Sequence, residues 1–556
     1  MRRTGRFSAY GAVLAAAWLL AACADHPKLP PPSTDLDETL FRDAVRILAS
    51  DEFEGRRPGT AGEAKTLAYL TDEFRKVGLK PGNGDSYLQA VPMLETLAGA
   101  DASFTLAGGK PRNFVYGKDM VIWSRSGMPQ AELKHSDIVF VGFGIVAPEF
   151  AWNDYAGIDV RGKTVLVLVN DPGYVSHDPK VFKGGGMTYY ARWAYKIDEA
   201  ARQGAAAVLL IHDGAALGYG WQAVVNKWTG PQLQLASANS EPRASIEGWL
   251  QKDAARALFD AAGHDFEAAT AAAAQAGFKA IPLGVQADAT LHSNLRPFSS
   301  ANVIALWPGA QKRKECVIYT AHWDHLGRDP ALPGHNIYNG AVDNATGVAG
   351  LVALAQSFVR TKPVAERSIV FLALTGAESG LLGSTYYAQN PVFPLRLTTA
   401  VLNLDTLRNR GPTRDVTIFG SGNTDLEEYA RAVALLQGRE VSPDPAPAQG
   451  RYYRSDNLSF AEAGVPALYV QGGMDDSARG PAWGRAQLEE YMLHRYRQPS
   501  DQYSADWDVR GALEDLTLYY EVGYRVARTR RFPRWYPNSE FRVSRDHRAA
   551  PSAAGD

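Results

Sequence analysis

A strand-like run that ends in two polar side chains constrains this chain more than any other feature. Residues 316–319 have the apolar pattern of a buried strand, and His322 and Asp324 follow directly after it. In open α/β sheets, ligands bind outside the carboxyl ends of the strands. Because side chains two positions apart in an extended chain point the same way, His322 and Asp324 can face one cavity. Taken alone, such a pair more often consists of two polar residues that are simply hydrogen-bonded at a strand end. Whether these two belong to a ligand-binding site therefore depends on the motifs downstream.

Four further motifs follow in a fixed order. They are DNATG at 343–347, TGAESGLLGS at 375–384, NLD at 403–405 and YRQPSD at 496–501. Together with the first pair, they resemble the di-zinc exopeptidase family of bacterial aminopeptidases, glutamate carboxypeptidase and the transferrin receptor. The resemblance implies an α/β fold, a three-layer sandwich with a mostly parallel central sheet. It also implies zinc-dependent removal of terminal residues from peptides, most simply as an aminopeptidase.

The resemblance assigns a role to each polar residue in these motifs. His322 corresponds to the first zinc ligand, and Asp324 to the carboxylate that orients it. Asp343 corresponds to the aspartate that bridges two zinc ions, and Asp405 completes the ion held by His322. Glu378 corresponds to a ligand of the other ion. Two metals so placed would stabilise the attacking and leaving oxygens of a hydrolysis.

Two positions depart from the family pattern in ways that matter for chemistry. Ala377 stands where relatives have a glutamate general base, and Arg497 stands where they have the last histidine ligand. A milder change is Asn457, where relatives usually have histidine. Alanine cannot accept a proton, and a guanidinium offers only donors, which makes it a poor metal ligand. We therefore predict that Arg497 occupies the place of the second ion and pairs with Glu378, leaving one zinc instead of two.

Two functions remain open from the sequence. One is an active zinc exopeptidase in which another residue replaces the lost base, with His494 and Glu462 as candidates by their position near the motifs. The other is a catalytically silent family member that binds a peptide or a partner through the same cleft. The transferrin receptor shows that this fold persists without peptidase chemistry.

The beginning of the chain predicts a lipid anchor. Arg2, Arg3 and Arg6 precede an apolar run over 9–20, which is too short to span a bilayer and is typical of a secretory signal. Leu20-Ala21-Ala22-Cys23 resembles a bacterial lipobox, which implies acylation of Cys23, and Ala24 after it favours the outer membrane. The alternative is a secreted protein with an incidental cysteine. The partners expected are outer-membrane lipid and a peptide in the periplasm or at the cell surface. The net charge of −2, without a dense basic run, argues against nucleic acid.

Changes of pattern along the chain predict the domain organisation. The region after 137 is richer in strands and resembles an inserted, β-rich protease-associated domain. Cys316 is expected to be a small buried hydrophobe. The predicted segments are a signal peptide (1–22), a Pro-rich linker (23–35), the first peptidase segment (36–136), the inserted domain (137–278), the second peptidase segment with the metal site (279–540) and a disordered tail (541–556).

Overall fold

The computed structural model describes residues 34–108, 110–182, 184–236, 242–362 and 364–542. The predicted signal peptide, Cys23, nearly all of the Pro-rich linker and residues 543–556 of the predicted tail lie outside these ranges. From Thr34 onward the chain forms one compact unit.

The described residues alternate between strands and helices. The strands are β1 (Lys80–Pro81), β2 (Leu88–Ala98), β3 (Ser103–Ala107), β4 (Arg112–Phe114), β5 (Met120–Trp123), β6 (Gln130–Phe140), β7 (Val146–Ala147), β8 (Trp152–Asn153), β9 (Thr164–Leu168), β10 (Ala207–His212), β11 (Gln232–Leu235), β12 (Ile246–Gln251), β13 (Ile281–Trp307), β14 (Lys312–His322), β15 (Gly327–Arg328), β16 (Ile337–Tyr338), β17 (Arg367–Leu374), β18 (Thr398–Asn403), β19 (Asp415–Phe419), β20 (Glu440–Ser442) and β21 (Ala467–Gly472). The α-helices are α1 (Glu38–Leu48), α2 (Ala61–Lys76), α3 (Pro172–Ser176), α4 (Trp193–Arg202), α5 (Gly214–Leu217), α6 (Trp221–Trp228), α7 (Lys252–Ala261), α8 (Phe266–Ala273), α9 (Thr346–Thr361), α10 (Leu382–Gln389), α11 (Leu426–Leu436), α12 (Asn457–Glu462), α13 (Gly480–His494) and α14 (Arg510–Arg528).

The central sheet has a parallel core with antiparallel edges. Strand β14 lies between β17 and β18 and is parallel to both, and β18 is parallel to β21. Antiparallel β13 and β2 continue the sheet beyond β17, and antiparallel β19 continues it beyond β21. The predicted α/β fold with a mostly parallel central sheet is confirmed.

Helices cover both faces of this sheet, as the alternation along β14 requires. Val317 and Tyr319 point into a large core shared with α1, α9 and α14, whereas Cys316 and Ile318 point into the core on the opposite face. Cys316 is fully buried, as its strand position predicts. The helical stretch Ala341–Thr361 is the one part of the described chain long and apolar enough to span a bilayer. Its apolar window is 89% buried, because it forms the centre of the core.

A second sheet is joined to the first through one shared strand. The first part of β13 pairs with β6 and β3, and from Ser293 onward the same strand pairs with β2 of the central sheet. Strands β6, β9, β10 and β12 continue the second sheet in parallel, and its two faces carry separate apolar cores.

The extent of the inserted domain stays a prediction. Strands β3 to β5, which precede residue 137, belong to the second sheet. Strand β11, which lies inside the predicted 137–278, pairs instead with β2 of the central sheet.

Candidate active site

The carboxyl edge of the central sheet brings the predicted site residues together. His322 is the last residue of β14, and Asp405 lies two residues beyond the end of β18. Glu378 lies in the short turn after β17, and Asp343 lies just before α9. Parallel strands end at the same edge of a sheet, which is why residues far apart in sequence meet there.

Close backbone approach at the start of α9 sets the position of Asp343. A β-carbon on Gly347 would lie 2.6 Å from the carbonyl oxygen of Leu404 and 2.3 Å from Asn344 Oδ1. Asn344 in turn donates to the Leu404 carbonyl and accepts from the backbone N–H of Thr406. The glycine therefore lets the segment that carries Asp343 contact the segment that carries Asp405.

One half of the site is a compact set of three donors. His322 Nε2 lies 3.3 Å from Asp343 Oδ1 and 3.7 Å from Asp405 Oδ1. His322 Nδ1 lies 3.1 Å from the backbone oxygen of Asp324, so the Nδ1–H donates and Nε2 is the nitrogen that can bind a metal ion once its proton is lost. One ligand atom from each of the three residues lies within 4.8 Å of the others. One imidazole and two carboxylates are ligands that zinc prefers, and these residues fit a single ion.

The electrostatics of this half also favour a cation. Burial would lower the pKa of His322, but hydrogen bonding to Asp343 and Asp405 outweighs burial and holds that pKa well above its usual range. Two carboxylates this close repel each other unless a positive charge lies between them. A protonated histidine or a metal ion can supply that charge.

Asp324 supports the site in a different way from the one predicted. Its carboxylate oxygen lies 3.7 Å from His322 Nδ1, so the backbone oxygen of Asp324 is the atom that orients the imidazole. The carboxylate accepts hydrogen bonds from the backbone N–H groups of Ala377 (3.0 Å) and Glu378 (3.2 Å). Asp324 thereby fixes the turn that follows β17. Burial raises the pKa of Asp324 to about 6.

Asp501 and Arg56 hold the segment that carries Asp343. The Asp501 carboxylate accepts from the backbone N–H groups of Val342 (3.0 Å) and Asp343 (3.1 Å). Arg56 is fully buried and donates to backbone carbonyls, including those of Trp323 and Gly340, each at 2.9 Å. Arg56 lies in the Gly-Arg-x-Pro-Gly loop near the start of the chain, a loop that gave no sign of this role in the sequence.

The other half of the site contains a guanidinium. Arg497 Nη2 lies 2.7 Å from Glu378 Oε2, and both side chains are buried. Burial would raise the pKa of Glu378, but the charge of Arg497 holds it well below its usual range. His325, which the sequence interpretation did not assign, is buried with Nδ1 3.0 Å from Glu378 Oε1. His325, Asp343 and Glu378 form a second possible donor set, but one of its carboxylates is already paired with Arg497.

Asp456 is a buried carboxylate at the cleft to which the sequence analysis gave no role. Its Oδ1 accepts from Ser384 Oγ at 2.6 Å, and its Oδ2 has no hydrogen-bond partner among the described residues. Burial raises the pKa of Asp456 to about 7. The adjacent Asn457 is bonded to backbone and to Asn403, which gives it a structural role.

The site opens into a cleft of about 930 Å³ that contains neither predicted replacement base. The residues lining it include Ala377, Glu378 and Arg497. His494 is exposed, and it does not line the cleft. Glu462 lies elsewhere and pairs with Arg192 at 2.7 Å. The geometry therefore speaks against both candidates.

The segment that carries the site is similar in sequence to known metallopeptidases. Residues 302–521 match peptidase family M28. A probable zinc metalloprotease of Pyrenophora tritici-repentis is 27% identical over 242 residues, which are 41% of this chain and 54% of that protein. A probable zinc metalloprotease of Pyricularia oryzae is 27% identical over 267 residues, 43% of this chain and 50% of that protein. The chain thus spans about half the length of the curated relatives it matches.

Two solved structures align with most of this chain at low sequence identity. An aminopeptidase from Aneurinibacillus sp. gives a TM-score of 0.48 at 19% identity, covering 88% of this chain and 93% of that chain. A peptidase M28 precursor from Shewanella amazonensis gives a TM-score of 0.48 at 16% identity, covering 89% and 94%.

Proposed function

We propose that this chain, whose residues 302–521 belong to peptidase family M28, is a zinc-dependent exopeptidase of aminopeptidase type with a centre reduced to one metal ion. The observation that carries the proposal is the contrast between the two halves of the site. His322, Asp343 and Asp405 converge within ligand distance of one another, whereas Arg497 neutralises Glu378 in the other half.

Each of the site residues has a distinct role in the proposed function. His322 Nε2 and the carboxylates of Asp343 and Asp405 would hold zinc, which would supply Lewis acidity to a peptide carbonyl. The backbone oxygen of Asp324 keeps the His322 imidazole in the tautomer with a free Nε2. Beyond its pair with Glu378, the Arg497 guanidinium has further N–H donors at the edge of the cleft, where they can orient a carbonyl or carboxylate of a peptide.

A second function is favoured by two particular residues. Ala377 cannot act as a base, and loss of a general base typically lowers a rate by about 10² to 10⁴. The ion pair between Arg497 and Glu378 supplies by protein alone the charge balance that a second metal would give. Both features suit a protein that binds peptides or a partner without hydrolysing them.

The location of the protein belongs to the same proposal. Acylation of Cys23 would attach the chain to the outer membrane, with the cleft facing the periplasm or the cell surface. Peptides are the substrates or ligands that the cleft would meet there, and no nucleic acid partner is expected.

Hydrolysis of aminoacyl-p-nitroanilides by the purified protein with added zinc separates the two functions. The exopeptidase proposal predicts turnover that falls to background in His322→Ala and stays unchanged in His494→Ala, a matched change at an exposed histidine. Zinc binding without turnover, together with retained peptide affinity, would favour the silent binder. A purified protein that binds neither zinc nor peptide would contradict both functions.

A further inference from the structure

Lys227, a cation of the second-sheet region, borders the half of the site that contains Ala377 and Arg497. It lies in the last turn of α6, far in sequence from every motif of the site. It lines a small cavity together with Ala377, Leu381 and Arg497. The position that relatives give to a glutamate base and the ε-amine of this lysine thus border the same space.

The end of α6 is attached directly to the site. Asn226, which precedes Lys227, donates through Nδ2 to the backbone oxygen of Arg497 and to Gln498 Oε1, both at 3.0 Å. Gln232 donates to the backbone oxygen of Lys227 at 3.0 Å. These bonds fix the lysine relative to the segment that carries Arg497, so its position does not depend on a free loop.

The environment of the Lys227 amine differs from that of an ordinary surface lysine. Within the part of the chain that the structure describes, no carboxylate forms an ion pair with Lys227. Burial, followed by the positive charge of Arg497, holds the pKa of Lys227 well below its usual range, although the carboxylates of Glu378 and Asp324 act in the opposite direction. A lowered pKa leaves more of the amine unprotonated, and the unprotonated amine is the form that can act as a general base.

The aromatic neighbours suit the protonated form. Lys227 Nζ lies 4.6 Å from the ring centroid of Trp228 and 5.3 Å from that of Trp193. Cations over indole faces gain about 0.5–1 kcal/mol or more. The rings therefore offset part of the effect of burial and of Arg497, which helps the amine to accept a proton and return it.

We propose that Lys227 takes over the proton transfer that the alanine at 377 cannot perform. In this scheme, which rests on the proposed exopeptidase function, the Nζ lone pair accepts a proton from a water molecule as its oxygen bonds to the peptide carbonyl carbon. The same proton then passes to the leaving nitrogen as the C–N bond breaks. The products are a carboxylic acid and an amine, and Lys227 returns to its neutral form.

Two measurements on the full-length protein test this role. The first is the titration of dimethylated lysines, labelled with ¹³C and assigned with Lys227→Arg as reference. We expect the Lys227 signal to titrate well below those of the exposed lysines. The second is kcat/KM on aminoacyl-p-nitroanilides. Lys227→Met and Lys227→Arg should each lose roughly 10²-fold or more, because neither side chain accepts a proton.

Controls separate proton transfer from a structural role. Lys252→Met removes a lysine of the same region that pairs with Asp213, and it should leave kcat/KM within about twofold. Added methylamine should restore part of the activity of Lys227→Ala. An active Lys227→Arg would overturn the inference whatever the titration shows. A wild type without turnover would overturn the proposed function and, with it, the catalytic role of Lys227, whereas an active wild type whose Lys227 titrates like the exposed lysines would overturn the inference alone.

Discussion

The Arg497 guanidinium lies 2.7 Å from the Glu378 carboxylate, with both side chains buried beside the His322 donor set. The pair neutralises Glu378 where the sequence resemblance implies a second metal ion, so that no buried charge is left alone. A guanidinium that stays charged at any ordinary pH replaces the positive charge of a metal ion. The two halves of the cleft are therefore neutralised in different ways. In one half, a cation bound by the His322 donor set would balance the carboxylates, and in the other half the Arg497 side chain balances Glu378.

Removal of Arg497 should destabilise the protein in the absence of metal. Arg497→Met would leave Glu378 buried without its counter-charge, a change that typically costs about 3–5 kcal/mol. Chemical denaturation in the presence of a chelator measures the free energy of unfolding. Arg510→Met, at an exposed pair with Asp508, is the matched control and should change little. An equally small effect at both positions would show that the buried pair does not carry the charge balance.

The metal content should be close to one zinc per chain. Three donors converge at His322, whereas the second set shares Glu378 with Arg497. Elemental analysis of protein purified without chelator should give this stoichiometry, lost in His322→Ala and kept in His494→Ala. Two stoichiometric ions would mean that Arg497 moves away from Glu378 when metal binds.

Asp456 should make the unfolding free energy depend on pH. Burial raises its folded-state pKa to about 7, above the ordinary value of 3.8. The unfolded chain therefore releases this proton first, and the contribution of Asp456 to stability is lost as pH rises from about 4 to 7. Asp456→Asn should stabilise the protein at pH 8, with the gain shrinking towards pH 4.

A matched carboxylate provides the control for that comparison. The pKa of the exposed Asp159 is held at about 2 by its hydrogen bond to Arg161, so Asp159→Asn should give no stabilisation at pH 8. Urea titrations of both variants and the wild type at several pH values provide the comparison. A constant difference between Asp456→Asn and wild type across that range would contradict the assignment.

The lipid anchor can be tested independently of the cleft. Metabolic labelling with a fatty-acid probe should mark the wild type and not Cys23→Ser, because the acyl chain would be attached to that thiol. Equal labelling of both proteins would contradict the prediction. Cys316→Ser is the matched control and should label normally, because Cys316 is buried in β14.

Residues whose chemistry depends on local pattern were predictable, and those that depend on packing were not. The pattern of helix α9 (Thr346–Thr361) can be read from the sequence, because its residues are apolar on nearly every side and its start falls within the DNATG motif. His325 follows the first motif directly, yet nothing in its residue type distinguishes a buried ring near Glu378 from a solvated loop histidine. Lys227 is harder still, since only the docking of α6 against the Arg497 segment brings it to the small cavity beside Ala377.

The last prediction concerns repair of the centre. Ala377→Glu alone supplies a carboxylate base, but the guanidinium of Arg497 can pair with it and hold it away from water. Arg497→His alone restores a ligand beside His325 and Glu378, yet leaves position 377 without a proton acceptor. The double variant Ala377→Glu/Arg497→His should bind two zinc ions, and its gain in kcat/KM should exceed the product of the two single gains, as expected for residues that act as a unit.

Activity on aminoacyl-p-nitroanilides and metal content are measured on the same preparations, with Arg495→His as a control for adding a histidine nearby. A double variant that binds two ions and stays inactive would show that the defect extends beyond these two positions. A double variant no better than an already active wild type would show that the present centre is not limited by them.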